Sequence, residues 1–187
     1  MNKDILKQPL SDLDIRNLSK DPIQIVPYDD LINYNTIEDL LNPTGQVVIL
    51  YLNQVPKELE DKYKYFGHYT CVFYSHVKNT NKPNKPFVTS CIEFFDPYGL
   101  FPDDQLHFSN VKFRQENNMD YPYLVYLLNK SKLPIEYNPF KFQKMDGETS
   151  TCGRWCTLRM NMKQLDIDEF TKLIKQFKRK TNKDARI

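Results

Sequence analysis

The sequence contains no apolar run near the roughly 18 residues that a membrane-spanning helix needs. Its first residues, Met1-Asn-Lys-Asp-Ile-Leu-Lys7 and onward, have no apolar stretch of signal-peptide length. A membrane-embedded or secreted protein is therefore not expected. Charge of one sign is lacking too. With 26 basic against 24 acidic residues, the formal net charge of +2 gives the whole molecule little pull toward nucleic acid or membrane, so any such attraction must be local. Paired short spacings of the Cys-x-x-Cys kind are absent, which disfavours structural zinc even though Cys152 and Cys156 lie one helical turn apart. No internal repeat and no domain boundary is visible. The 187 residues fit a single domain, read as an N-terminal accessory segment over 1–45, a core over 46–165 and a basic tail over 178–187.

What is present is an ordinary globular composition, 40% hydrophobic and 13% aromatic, enough for a dense core. Ser11-Asp-Leu-Asp14 carries the capping residue and the third-position acid of a helix start, and a short helix is expected over Ile37–Leu41. Val47-Val-Ile-Leu-Tyr-Leu52 is a continuous apolar, β-branched run, which suits a strand covered on both faces. His68–Ser75 and Val88–Phe95 read as a long-looped hairpin whose second strand ends in the turn chemistry of Asp96-Pro-Tyr-Gly99. Tyr123–Leu128 reads as a helix and Lys141-Phe-Gln143 as a further strand. A helix is expected to begin near Cys152, and another covers Ile167–Lys178, with Phe170, Leu173, Ile174 and Phe177 on one face. These elements predict an α+β fold with a central mixed or antiparallel sheet flanked by helices.

The segment richest in chemistry runs from Gln143 to Cys156. A cysteine at a helix start faces unpaired backbone N–H groups and the positive end of the dipole, which favours thiolate over thiol. Gly153, lacking a Cβ, allows a substrate backbone close approach. A thiolate needs a base to carry its proton, and His68 at the start of a strand is the best candidate. Asp96, ending the partner strand, can accept the ring's other N–H, and Gln143 can supply a side-chain donor to an oxyanion beside the Cys152 N–H. Such chemistry needs no metal or cofactor. Cys71, Cys91 and Cys156 read as buried filler, Trp155 as a core anchor, and His76 and His107 as surface or structural residues.

The order His68, Asp96, Gln143, Cys152 resembles that of the adenovirus-protease and ubiquitin-like-protease type of cysteine peptidase. His68-Tyr69, Phe95-Asp-Pro-Tyr-Gly99 and Cys152-Gly153 are similar to that family's motifs, whereas papain-like enzymes run Gln, Cys, His, Asn. Thr151-Cys-Gly-Arg-Trp-Cys156 looks closest to the proteases of virophages, Polinton-type elements and large DNA viruses. Lys144 stands where an ungapped match to the family would put the Gln.

The resemblance implies that family's fold, with a Cys-His-Asp triad, a Gln oxyanion hole and peptide-bond hydrolysis. It further implies a viral maturation protease trimming capsid or other structural proteins at Gly-containing sites, in the host cytoplasm or packaged in the virion. A deconjugase acting on ubiquitin-like conjugates, an acyltransferase and a non-catalytic binding module are the alternatives on the same scaffold. A polypeptide substrate is the expected partner. A nucleic-acid or peptide activator is compatible with the basic tail, for which a solvated terminus is the simpler reading.

Overall fold

Val47 and Ile49 point into one apolar core while Val48 between them points into another, so the continuous apolar run at this strand fills two interiors at once. The structure, a computed structural model, describes residues 8–54, 66–79, 87–144 and 150–181. Its elements in chain order are α1 (Asp12–Leu18), β1 (Gln24–Pro27), α2 (Ile37–Leu41), β2 (Gln46–Asn53), β3 (Phe66–Asn79), β4 (Phe87–Phe95), α3 (Val111–Glu116), α4 (Tyr123–Leu128), β5 (Ile135–Tyr137), α5 (Cys152–Asn161) and α6 (Ile167–Thr181), with short 3-10 helices at Tyr28–Asn33 and Asp104–Phe108. The strands form one mixed sheet in the order β1-β2-β3-β4-β5. Its middle three strands are antiparallel, and the two outer strands run parallel to their neighbours.

Helices α2 and α4 cover one face through Ile37, Leu40, Leu41, Leu124, Leu127 and Leu128. Helices α1, α5 and α6 cover the other through Ile15, Trp155, Met160, Phe170 and Ile174. The protein is thus α+β, a five-stranded mixed sheet between two helical layers. Both Ser11 and Thr36 form complete capping boxes with the acid three residues on, which fixes where α1 and α2 begin.

Two features depart from the expectation. The residues 141–143 form no strand; Phe142 and Gln143 instead donate their backbone N–H groups to the Pro97 carbonyl, at 2.9 and 3.0 Å. The fifth strand is Ile135–Tyr137, which pairs parallel with Ile92–Phe94 and is too short to show a period of its own. The N-terminal region is also woven into the fold. Residues 8–45 supply Ile15 to the second core, a sheet strand, and three buried side chains of α2.

Candidate active site

Strand β4 stops at Phe95, paired with Cys71, while β3 continues back to Phe66 alongside β2. This leaves the 66–70 stretch of β3 with no strand on its β4 side, and register places Asp96 beside Thr70, diagonal to His68. The start of α5 packs against this part of β3, with Cys152 and Tyr69 in one core cluster. His68, Asp96 and Cys152, separate in sequence, therefore meet where the hairpin's long arm overruns its short one.

His68 Nε2 lies 3.0 Å from Asp96 Oδ1, with both side chains buried, at 3% and 1% exposure. The same carboxylate oxygen accepts the Tyr98 backbone N–H at 2.7 Å, which helps to fix it in place. The Tyr98 ring stacks on the imidazole, centroids 4.3 Å apart and planes 15° from parallel. The ring's second nitrogen, Nδ1, is buried and makes no hydrogen bond of ordinary geometry among the described residues. Cys152 is near enough that ring and thiol shift each other's ionisation. Burial works against a charged ring, but the Asp96 carboxylate outweighs it and, with Cys152, holds the His68 pKa up at about 10. Burial likewise opposes a thiolate at Cys152. The neighbouring His68, first as an N–H donor and then as a charge, reverses that balance with help from the backbone N–H groups of Tyr69 and Gly153, and brings the thiol below its ordinary 9.0.

Cys91 and Cys156 move in the opposite direction. Burial pushes Cys91 up to about 12 and Cys156 well above the ordinary range. All four are free thiols, and Cys156 sits in the interior with its Sγ against the Tyr69 carbonyl at 3.3 Å. His76 and His107 are both exposed and away from this cluster. Among the described residues, no group of three or more His, Cys, Asp and Glu side chains is arranged to hold a metal ion.

Gln143 is brought to the same place by the strap that leads out of β5. Its Oε1 accepts the Thr151 hydroxyl at 3.0 Å, and its Nε2 donates to the Tyr98 hydroxyl at 3.3 Å. Thr151 immediately precedes α5, yet its hydroxyl caps nothing there because it is turned to Gln143. The strap is anchored by Asn138, which donates to the Asp96 carbonyl at 2.6 Å and accepts the Phe140 N–H at 2.8 Å. Gly99, at φ 72°, closes the Asp96 turn against it; a Cβ there would fall 2.9 Å from the Phe140 carbonyl oxygen.

Sequence reasoning missed Tyr98, Asn138 and Thr151. Tyr98 lies inside the Phe95–Gly99 motif and Thr151 at the edge of the Cys152 motif, but nothing local marks either side chain as a partner of Gln143. Nothing in the sequence marks Asn138. Gly153 also has a different environment from the expected one: a Cβ there would meet Ile15 Cδ1 of α1 at 3.0 Å, so its smallness admits α1 to α5. A further link was not anticipated. Arg159, in the fourth position of the second turn of α5 and fully buried, holds Glu93 of β4 through two bonds of 2.7 and 2.6 Å and also caps the chain at Met162 and Leu165. This pair fixes the helix carrying Cys152 to the strand that leads to Asp96.

The fold and this cluster define an α+β protein with a buried Cys-His-Asp constellation at the head of a helix. The chain is 39% identical over 168 residues to the uncharacterized protein V9 of Sputnik virophage, a match covering 90% of this chain and 84% of that protein, and it belongs to that virophage family. No family model matches the chain, and no solved structure matches it. No helix among the described residues is long and apolar enough to cross a membrane.

Proposed function

We propose that the chain is a cysteine endopeptidase of the adenovirus-protease and ubiquitin-like-protease type. The observation that carries this reading is the buried His68, whose Nε2 rests on Asp96 at 3.0 Å beside Cys152 at the start of α5; it draws that thiol toward thiolate, whereas burial pushes Cys91 and Cys156 the other way. A structural cysteine gains nothing from such a partner.

In the proposed reaction the Cys152 thiolate attacks the carbonyl carbon of a peptide bond. The resulting oxyanion is received by the Cys152 backbone N–H and the Gln143 amide, which the Tyr98 and Thr151 hydroxyls orient. As the C–N bond breaks, His68 gives its Nδ1 proton to the leaving amine. It then takes a proton from water, whose oxygen attacks the thioester, releasing the carboxylic acid and restoring the thiolate–imidazolium pair. Asp96 stays ionised throughout and stabilises the imidazolium. Relative to serine proteases the ring is used in reverse, Nε2 toward the acid and Nδ1 toward the nucleophile.

Kinship with a virophage protein supports a viral role, and the proposed substrate is a structural protein of the particle, cleaved during assembly. The test is to incubate the protein with a peptide library made from a virophage particle proteome and read new termini by mass spectrometry. Termini that appear with the wild type and vanish with Cys152→Ala support the reading. A wild type that yields no more termini than Cys152→Ala counts against it.

A further inference from the structure

Thr70 lies two residues beyond His68 on β3, fully buried, with Ile49 of β2 opposite it and Asp96 beside it where β4 ends. Alternate residues of a strand, and residues directly abreast on paired strands, share one face of the sheet. The neighbours of Thr70 on its face are therefore His68, Val72, Ile49 and Asp96, with Tyr51 diagonal to it. Val72 and Ile49 are apolar, and the Tyr51 hydroxyl donates to Asp103 at 3.3 Å. That leaves His68 and Asp96 as the polar groups beside the Thr70 hydroxyl. Two atoms there have no hydrogen-bond partner among the described residues, and they are complementary. Asp96 Oδ1 serves the His68 ring and the Tyr98 N–H, while Asp96 Oδ2 is buried and accepts nothing. Thr70 Oγ1, a donor, is buried and donates to nothing. Buried polar atoms in native proteins are nearly all hydrogen-bonded, and a bare carboxylate oxygen is among the costlier exceptions. Residues abreast have Cβ atoms roughly 5 Å apart, a spacing that a Thr hydroxyl and an Asp carboxylate close by rotation about χ1. In Thr that rotation exchanges hydroxyl and methyl among staggered wells and leaves the packed volume nearly unchanged. A valine would fill the same place in the sheet, so packing alone gives no reason for a hydroxyl here.

We propose that Thr70 is a positioning residue of this site: its hydroxyl turns onto Asp96 Oδ2, so that the carboxylate is held through both oxygens and keeps Oδ1 directed at His68 Nε2. The inference rests on the reading of Asp96 as the group that orients His68 for catalysis, and it is independent of which polypeptide is cleaved. Thr70 acts through Asp96 rather than on the reacting atoms. Without its hydroxyl the carboxylate is held at Oδ1 alone, by the ring and by the Tyr98 N–H, and is free to pivot. The ring then loses its fixed rest at the step where its Nδ1 proton passes to the leaving amine.

The test compares two replacements in the full chain: Thr70→Val, which keeps the volume and loses the hydroxyl, and Thr70→Ser, which keeps the hydroxyl and loses a methyl. Two readouts are taken, the NMR resonance of the His68 Nε2 proton at neutral pH and the kinetics of peptide hydrolysis. Thr70→Val is expected to displace the resonance and to lower kcat roughly fivefold with KM unchanged. Thr70→Ser is expected to stay with the wild type in both, although it alone leaves a small cavity in the core. A merely structural role predicts the reverse order, with the valine variant intact and the serine variant impaired. The proposal is overturned if the resonance in Thr70→Val keeps its wild-type position, whatever happens to the rate, or if Thr70→Ser behaves as Thr70→Val does. A wild type that cleaves no peptide would count against the peptidase reading, and the resonance would still decide whether Thr70 holds Asp96.

Discussion

Tyr98 touches both halves of the candidate site: its ring stacks 4.3 Å from His68 while its hydroxyl accepts the Gln143 amide at 3.3 Å. The two contacts separate by substitution. Tyr98→Phe keeps the ring and removes one anchor of Gln143, worth about 1 kcal/mol, so peptide hydrolysis should fall roughly fivefold while the NMR titration of His68 is unchanged. Tyr98→Ala should disturb both. A Tyr98→Phe variant with full activity would remove Tyr98 from the account of the oxyanion site.

The two ionisations at the site have opposite linkage to stability. His68 has its folded pKa raised to about 10, so its contribution is complete below the unfolded value near 6.5 and is lost as pH rises toward 10. Cys152 has its folded pKa lowered, so its contribution is complete above 9.0 and is lost as pH falls through the folded value. Between the lowered folded value of Cys152 and about pH 9 the folded pair and the unfolded pair each hold one proton, and the slopes cancel. Removing the thiol unmasks His68, still held up by Asp96. Across that window Tm should therefore fall with rising pH more steeply in Cys152→Ala than in the wild type. Parallel Tm profiles in calorimetry would show that the two groups do not share a proton.

Arg159 and Glu93 form a buried ion pair that positions α5. Breaking it from one side, by Arg159→Met or Glu93→Gln, should cost about 3–5 kcal/mol in urea unfolding, because a charge or a set of donors is left buried without its partner. The double replacement Arg159→Met/Glu93→Leu should recover most of the loss. Single variants within about 1 kcal/mol of the wild type would mean that water reaches the pair.

Gly153 and Ile15 offer a cleaner packing test. Alanine at 153 places its Cβ 3.0 Å from Ile15 Cδ1, and Ile15 is fully buried and has little room to retreat. Gly153→Ala alone should destabilise by about 1–3 kcal/mol. On an Ile15→Val background, which lacks that Cδ1, the same substitution should be neutral or stabilising by about 0.5–1 kcal/mol through helix propensity. An equal cost on both backgrounds would locate the constraint elsewhere.

How far the sequence could be read depended on the kind of interaction. Val47–Leu52, the hairpin and α6 were legible because each carries a long apolar pattern that only one element satisfies. The meeting of His68 with Asp96 was legible too, since a hairpin brings the end of its second strand back beside the start of its first. The misplaced fifth strand shows the limit. Ile135–Tyr137 is set by pairing with β4, and residues 141–143 are held by the Pro97 carbonyl, both long-range bonds with no local signature. Asn138, Tyr98 and the Arg159–Glu93 pair were hidden for the same reason, because their roles exist only once distant segments are together.

The central claim, a thiolate–imidazolium pair at Cys152 and His68, is tested most directly by alkylation. The rate at each cysteine is measured from about pH 5 to 9 by peptide mass spectrometry, in the wild type and in His68→Ala. The account predicts that Cys152 alone reacts rapidly well below the ordinary thiol range, and that His68→Ala returns it to the behaviour of an unassisted buried thiol. A Cys152 that reacts no faster than Cys91 or Cys156, or that keeps its advantage without His68, would contradict it.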